Sequence, residues 1–444
     1  MEYRKYTLVL LFLLFLSFLV HMPIEVQKVI FKKVVIEEPV YVDVISEYRL
    51  IFVDPCRSIQ QSIWYNEEKL EKICNGEFVL AYPYVDYQYE HAPLVAGVWW
   101  ILTMISHGIT VTLSLKPFPV YTLTIFYLLY SFVTGLILLG AYNTLYRIYQ
   151  ILGARKKLIY VLVTLSPTLL IYSIYSWTGY TLLLVLKFLY HVIEGSVQKA
   201  LFYLGLLSSF NPLGFVIIFI MAYHTVAGGF LRIRCGKQVA YMMAGLLPYV
   251  IQGVLSKESF IKIFTWFMWN NCNNCIYLLI TQNHGSQINP ALFVATYVIF
   301  TTIYLVLIPR KTIVNEEMST YSYLALLLGF TISLSLVFTP QSLLLVLTLL
   351  PPLYGIYKDY RPVIPHIITD VCNSLIIILW FHDVEIRRSL SILGLRLEYN
   401  PFSLESPIQW IAQIRNIIIL TMLLVLSHEY LELAKYQEPE FNTI

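Results

Sequence analysis

From about Pro93 almost to its end, this chain of 444 residues is a succession of apolar stretches separated by short polar breaks. A helix needs roughly 20 apolar residues to cross the hydrocarbon core of a bilayer. Stretches of that kind fall near 120–142, 158–176, 178–193, 200–212, 213–230, 239–255, 290–309, 321–338, 341–357, 363–381 and 408–427. Lipid offers no partner to backbone amides, so only helices or closed barrels can span it. The expected fold is therefore an all-α polytopic membrane protein, a bundle of roughly 11–13 transmembrane helices counted at that span length. Pro167, Pro212 and Pro340 interrupt several stretches, and broken helices are tolerated where they line protein rather than lipid. Composition agrees, with 58% apolar residues and only 13% charged, about half the usual share of about 25%. That excludes a water-soluble enzyme and a nucleic-acid binder. A net charge of +3 is too weak to select an anionic partner.

Residues 1–21 begin basic and become apolar, and His21-Met22-Pro23 offers no small-residue cleavage site. An uncleaved signal anchor is expected there. Residues 22–92 are the longest polar segment and form an extracytoplasmic loop in this reading, followed by a multi-span domain over 93–430. Within the loop, the alternation over 29–44 allows a strand or an interfacial piece, and 60–72 reads as a short helix. Lysine and arginine mark the cytoplasmic side: Arg147, Arg155, Lys156 and Lys157, then Arg232, Arg234 and Lys237, then Arg310 and Lys311. Loops 256–289 and 382–407 then fall outside, and 431–444 is a cytoplasmic tail. Only one crossing fits between an outer 22–92 and an inner 143–157, so 93–113 is expected to be re-entrant or tucked against the outer leaflet, turning at His107-Gly108. The alternative is that Arg147 to Lys157 breaks the charge rule.

The first loop holds Asp43, Glu47 and Asp54, then Asp86, Glu90 and His91 in a tyrosine-rich run that includes Tyr84 and Tyr87. Carboxylates beside aromatic rings at a water–lipid boundary suit deprotonation of a hydroxyl and the gripping of a sugar. Exposed loops are also simply rich in Asp and Glu, and composition alone favours that plainer reading. Cys56 and Cys74 could bridge within the loop. Cys272 and Cys275 form a C-x-x-C with only His284 near, which favours a disulfide or two thiols over zinc. A divalent metal, Mg or Mn, is the one cofactor the carboxylates leave open.

Five motifs follow one another in order. They are the loop run 81–94, Ser176-Trp177-Thr178, the segment Ser208–Pro212 with Asn211, Pro340-Gln341-Ser342, and Ser406-Pro407-Ile408-Gln409-Trp410. Together they resemble polytopic GT-C-type glycosyltransferases, particularly archaeal enzymes dependent on polyprenyl-phosphate mannose. The resemblance implies transfer of a hexose, mannose or another, from a polyprenyl-phosphate donor to a lipid or glycan acceptor at the outer face, with inversion. It places the general base at Asp43 by position, with Asp86 and Glu90 orienting substrate. Substrate contacts would fall to Glu47, Tyr84, Tyr87, His91, Trp177, Asn211 and Gln341, and donor phosphate to Arg387, Arg388, Arg396 or Arg415. The family has an acid where this chain has Thr178, and a lysine ahead of the proline where this chain has Ser208 to Asn211. A non-catalytic, lipid-binding subunit of the same architecture is the alternative. A transporter or flippase fits less well, since few charges lie along the spans.

Overall fold

The computed structural model describes residues 2–37, 42–57, 63–153, 161–211, 213–226, 237–257, 274–281, 299, 302, 313–335, 338–394 and 399–435. Helices dominate these residues and no β-strand longer than an isolated bridge occurs among them. Helix α1 (Glu2–Val20) bends by 106° into α2 (Ile24–Phe31). Helix α3 (Asp43–Tyr48) runs through a π-helical stretch, Arg49–Val53, into α4 (Asp54–Arg57), and α5 is Glu67–Cys74. Next come α6 (Pro93–Thr112), α7 (Phe118–Leu152), α8 (Pro167–Tyr172), α9 (Thr178–Ile193), α10 (Val197–Phe210), α11 (Leu213–Val226), α12 (Lys237–Leu255) and the single turn α13 (Leu278–Thr281). The chain closes with α14 (Glu316–Ser333), α15 (Leu343–Leu349), α16 (Pro351–Tyr357), α17 (Val363–Phe381), α18 (Asp383–Ile392) and α19 (Pro407–Lys435).

Among the described residues six helices are long and apolar enough to cross a membrane, or seven if the bent α1–α2 pair is one span. The protein is an all-helical, multi-pass membrane protein. Most expected stretches are helices with shifted ends. The break at Pro167 leaves α8 as a short helix capped by the Ser166 hydroxyl. The span expected near 290–309 lies outside the described residues, apart from two isolated positions.

Two large hydrophobic cores divide the described residues, beside a small third cluster of Ile376, Ile408 and Ala412. One gathers the interior of the bundle, from Leu138–Leu152 of α7 through α9, α10, α14, α15 and α19. The other is markedly aromatic and joins residues 42–92 to α6, to the first third of α7, and to Trp177, Tyr180 and Phe210. Helix α7 belongs to both. Its 35 residues make a rod of about 52 Å at 1.5 Å per residue, against a hydrocarbon core of about 30 Å.

Three expectations are corrected. Residues 93–112 do not turn at His107-Gly108 but form one continuous helix. His107 is fully buried and its Nε2 meets the Tyr48 hydroxyl at 3.0 Å. Aromatic packing on α3 and the π-helical stretch thus holds α6 straight, and the chain reverses only at 113–117. The alternating run over 29–44 begins as the end of helix α2 rather than as strand, because Val26 of α2 packs into the aromatic core beside Met22 of the preceding turn; 38–41 lie outside the described residues. The short helix expected over 60–72 starts late, at Glu67, where the Asn66 side chain caps the amide of Lys69. Cys56 and Cys74 are disulfide-bonded, with Cα atoms 5.2 Å apart. Closing that loop constrains the unfolded chain by about 3 kcal/mol in the entropy account.

Candidate functional site

Asp43 is the first residue of α3, directly over the end of the bundle formed by α8 and the turn after it. Burial pushes its carboxyl up to about 6. A hydrogen bond from Tyr175 and the positive ring of His91 oppose that rise, and the neighbouring Glu47 adds to it. Tyr175 belongs to the run 172–177 and also packs edge-on against His21 and Tyr172.

One helical turn along α3, Glu47 pairs through Oε1 with Nε2 of His91. Burial disfavours the charged ring of His91, but Glu47, Asp43 and Glu90 outweigh it and raise the imidazole's pKa above its ordinary value. Tyr84, in a left-handed conformation at φ +69°, donates its hydroxyl to the His91 carbonyl at 2.5 Å. The stretch just ahead of α6 is thereby fastened to α3. Three buried polar atoms line this region without a hydrogen-bond partner among the described residues: Glu47 Oε2, the Tyr89 hydroxyl and Trp177 Nε1. Buried polar groups are nearly always paired, so unpaired ones of both signs suit a polar ligand. The Tyr89 hydroxyl lies within electrostatic reach of Glu47, and Trp177 packs edge-on against Tyr130, 5.3 Å between centroids.

The other predicted residues separate. Asp86 is only 4% exposed, and its carboxylate takes Lys69 Nζ at 2.8 Å, the Tyr82 amide at 2.8 Å and Asn66 Nδ2 at 3.4 Å. Its backbone carbonyl accepts the amides of Tyr65 and Asn66. Asp86 is therefore the hub that folds 64–87. Tyr87 is buried in the aromatic core, its hydroxyl accepting from Trp99 Nε1 at 3.1 Å. Glu90 is exposed and bonded to Gln88. Asn211 caps the turn into α11, its Oδ1 accepting the Leu213 amide at 3.0 Å. Gln341 sits half-buried in the turn Pro340–Ser342.

The arginines differ just as sharply. Arg387 is spent on Asp383 and on the carbonyl and ring of Tyr399. Arg388 is exposed. Arg396 lies outside the described residues. Arg415, fully buried in α19, gives its donors to Asn373 Oδ1 at 2.8 Å, Asn416 Oδ1, and the carbonyls of Asn274 and Phe338. Among the described residues no carboxylate pairs with it. Tyr172 stands between this cation and the first site, within electrostatic reach of both Arg415 and Asp43, and its hydroxyl bonds the Asn373 carbonyl at 3.2 Å.

A residue not singled out from the sequence completes this lower cluster. Asp370 of α17 accepts from the Ser166 hydroxyl at 3.0 Å and the Thr168 amide at 2.9 Å, holding the start of α8. A lone carboxylate inside an apolar run was the signal for it. Tyr175 could be suspected only from its place in the tyrosine-rich run before Trp177.

Among the described residues no three His, Cys, Asp or Glu side chains converge as metal ligands. Glu47 shares Oε1 with His91 and keeps Oε2 open among the described residues, whereas Asp86 is spent on Lys69. Cys275 is disulfide-bonded, which removes it as a thiolate ligand.

No protein family model and no curated protein matches this sequence. Among solved structures, ArnT from Cupriavidus metallidurans, crystallised bound to undecaprenyl phosphate, aligns with 97% of this chain and 77% of its own, at 11% identity and a TM-score of 0.44. A likeness of that size says nothing about the reaction, which has to come from this chain's own residues.

Proposed function

We propose that the protein is a membrane glycosyltransferase that takes a hexose from a polyprenyl-phosphate donor and passes it to an acceptor hydroxyl. Asp43 carries this reading. It is a shielded carboxylate with its pKa raised to about 6, mounted where an aromatic unit meets the end of a membrane bundle. A base works best when its pKa lies near the working pH. Asp43 removes the acceptor's proton as the hydroxyl oxygen attacks the anomeric carbon. The bond from that carbon to the phosphate oxygen breaks on the opposite face, the lipid phosphate leaves and the configuration inverts. The leaving group is already activated, so positioning and charge stabilisation supply the remainder.

Arg415 lies too deep to touch a substrate, and it contributes a fixed positive potential beneath Tyr172. Glu47, Tyr89 and Trp177 present the unpaired acceptor and donors that sugar hydroxyls require. The disulfide of Cys56 and Cys74 supports an oxidising, extracytoplasmic location for this unit. The length of α7 supports a single crossing from that side to the Lys/Arg side, with α6 packed on the aromatic unit at the membrane surface.

The test is a transfer assay with radiolabelled polyprenyl-phosphate hexoses, comparing membranes that carry the intact chain with membranes that carry Asp43→Asn. Transfer that depends on Asp43 sustains the reading. No transfer from any such donor by the intact chain would leave a non-catalytic, lipid-binding subunit.

A further inference from the structure

Helix α18 connects two spans, separated from α17, which ends at Phe381, by His382 alone and from α19 by 14 residues. One side of it is occupied by protein. Asp383 is buried, takes the Tyr399 hydroxyl at 2.6 Å and pairs with Arg387. The other side is bare, with Val384 68%, Ile392 81% and Leu393 75% exposed. Val384, Arg388 and Ile392 succeed one another at intervals of four residues, so they form one stripe along the helix. Arg388 is the exposed centre of that stripe. Glu385 is exposed on its flank.

Bare aliphatic side chains on both sides of Arg388, with Leu393 just past the end of the helix, are costly in water. The position of the helix says what covers them. Trp380, at the end of α17, and Trp410, at the start of α19, are both large exposed rings, and Trp380 packs on Phe402 at 4.7 Å. Exposed tryptophans at span ends mark the headgroup layer, and α18 begins and ends between these two. Amphipathic helices that lie in that layer bury their apolar face at the acyl boundary and turn basic side chains to phosphate.

We propose that α18 is an interfacial helix that binds bilayer lipid, with Val384, Ile392 and Leu393 at the acyl boundary and Arg388 on a lipid phosphate. The occupant is a phospholipid of the surrounding leaflet. The site is independent of the transfer chemistry and stands even if no sugar is moved.

The full-length protein, reconstituted in vesicles of phosphatidylcholine with one-tenth phosphatidic acid, tests this through a photo-crosslinking residue at position 384, 392 or 68. Glu68 of α5 is exposed and serves as the control. Lipid adducts are expected at 384 and 392, with at least about tenfold less at 68, the contrast that burial at the acyl boundary implies. Phosphatidic acid should be enriched in those adducts by about fivefold, the ratio given by ~1 kcal/mol per surface arginine. Arg388→Gln should abolish the enrichment while the adducts persist. Millimolar inorganic phosphate should leave it unchanged, and loss of enrichment there would assign Arg388 to a soluble anion instead. Equal adducts at 68 and 392, or adducts to protein rather than lipid, would overturn the proposal. Neither readout needs transfer activity, so failure here and failure of the glycosyltransferase reading are separate results.

Discussion

Two polar clusters lie on either side of Tyr172, and they spend their hydrogen bonds differently. Around Asp370 and Arg415, the charged groups themselves are spent on neighbouring helices and turns, although Asn274 Oδ1 and Thr369 Oγ1 beside them stay open among the described residues. Charge there serves to lock α8, α17, α19 and the 338–340 turn together. Around Asp43, Glu47 and His91, the carboxylates retain unused valences, buried tyrosine and indole groups lack partners, and the base is held away from its ordinary pKa. A charge whose bonds are spent specifies structure; a carboxylate with an open oxygen, as at Glu47, is where a ligand completes the bonding.

The contrast breaks first at Asp43. Asp43→Asn keeps shape but cannot accept a proton, and transfer should fall by about 10²–10⁴-fold. Stability should move the other way. Because burial raises this carboxyl to about 6 from 3.8, the folded state binds the proton more tightly than the unfolded one does. The cost of the ionised form is absent below about pH 3.8, grows through the interval, and is complete above about pH 6. The asparagine variant should therefore unfold no earlier than the intact chain at pH 7.5, and the wild-type rate should rise with pH along a limb centred near 6. A variant that is both inactive and unstable would make Asp43 a structural residue.

The second cluster should answer in stability. Arg415→Met strands the buried oxygens of Asn373 and Asn416 and two carbonyls, each at about 1–3 kcal/mol, so unfolding in detergent should shift by at least about 3 kcal/mol. A variant of full stability that fails only in donor KM would place Arg415 on the substrate instead.

Asp86→Asn sharpens the comparison within the upper unit. Losing the charge that holds Lys69 and the Tyr82 amide should cost about 1–3 kcal/mol, read as a lowered unfolding midpoint with kcat nearly intact. A catalytic loss without loss of stability would restore Asp86 to the reaction.

His91→Gln should have the smallest effect. Its charge lowers the pKa of Asp43, so its removal should move the acid limb of the rate profile upward, by about one unit or less for a partly exposed partner. Movement toward lower pH would show that Glu47 and His91 act on Asp43 mainly through position.

Much of this was legible in the sequence. Apolar length announced the membrane bundle, whereas two cysteines in one polar segment only allowed the bridge that the structure shows. Asp43 could be singled out by its place after the first apolar run, and the Asp43→Asn assay tests the role proposed for it. The role of Asp86 was not, because Lys69 lies 17 residues away and nothing in either residue's neighbourhood reveals the pair. The straightness of α6 was equally hidden. A His-Gly pair inside an apolar run reads as a turn until the rings of Tyr48, Phe52 and Phe118 are seen closing around His107.

The rod formed by α7 also sets how the protein meets membranes of different thickness. A span free at both ends accommodates a thicker or thinner bilayer by tilting. Here the first third of the helix is gripped by Phe126, Tyr127 and Tyr130 within the aromatic core, and the remainder is gripped by the bundle, so tilting would shear one core against the other. Adjustment falls instead to the lipid, which must thin or stretch around a hydrophobic belt of fixed height. The protein is thereby matched to one bilayer thickness and would partition toward it wherever a membrane offers more than one.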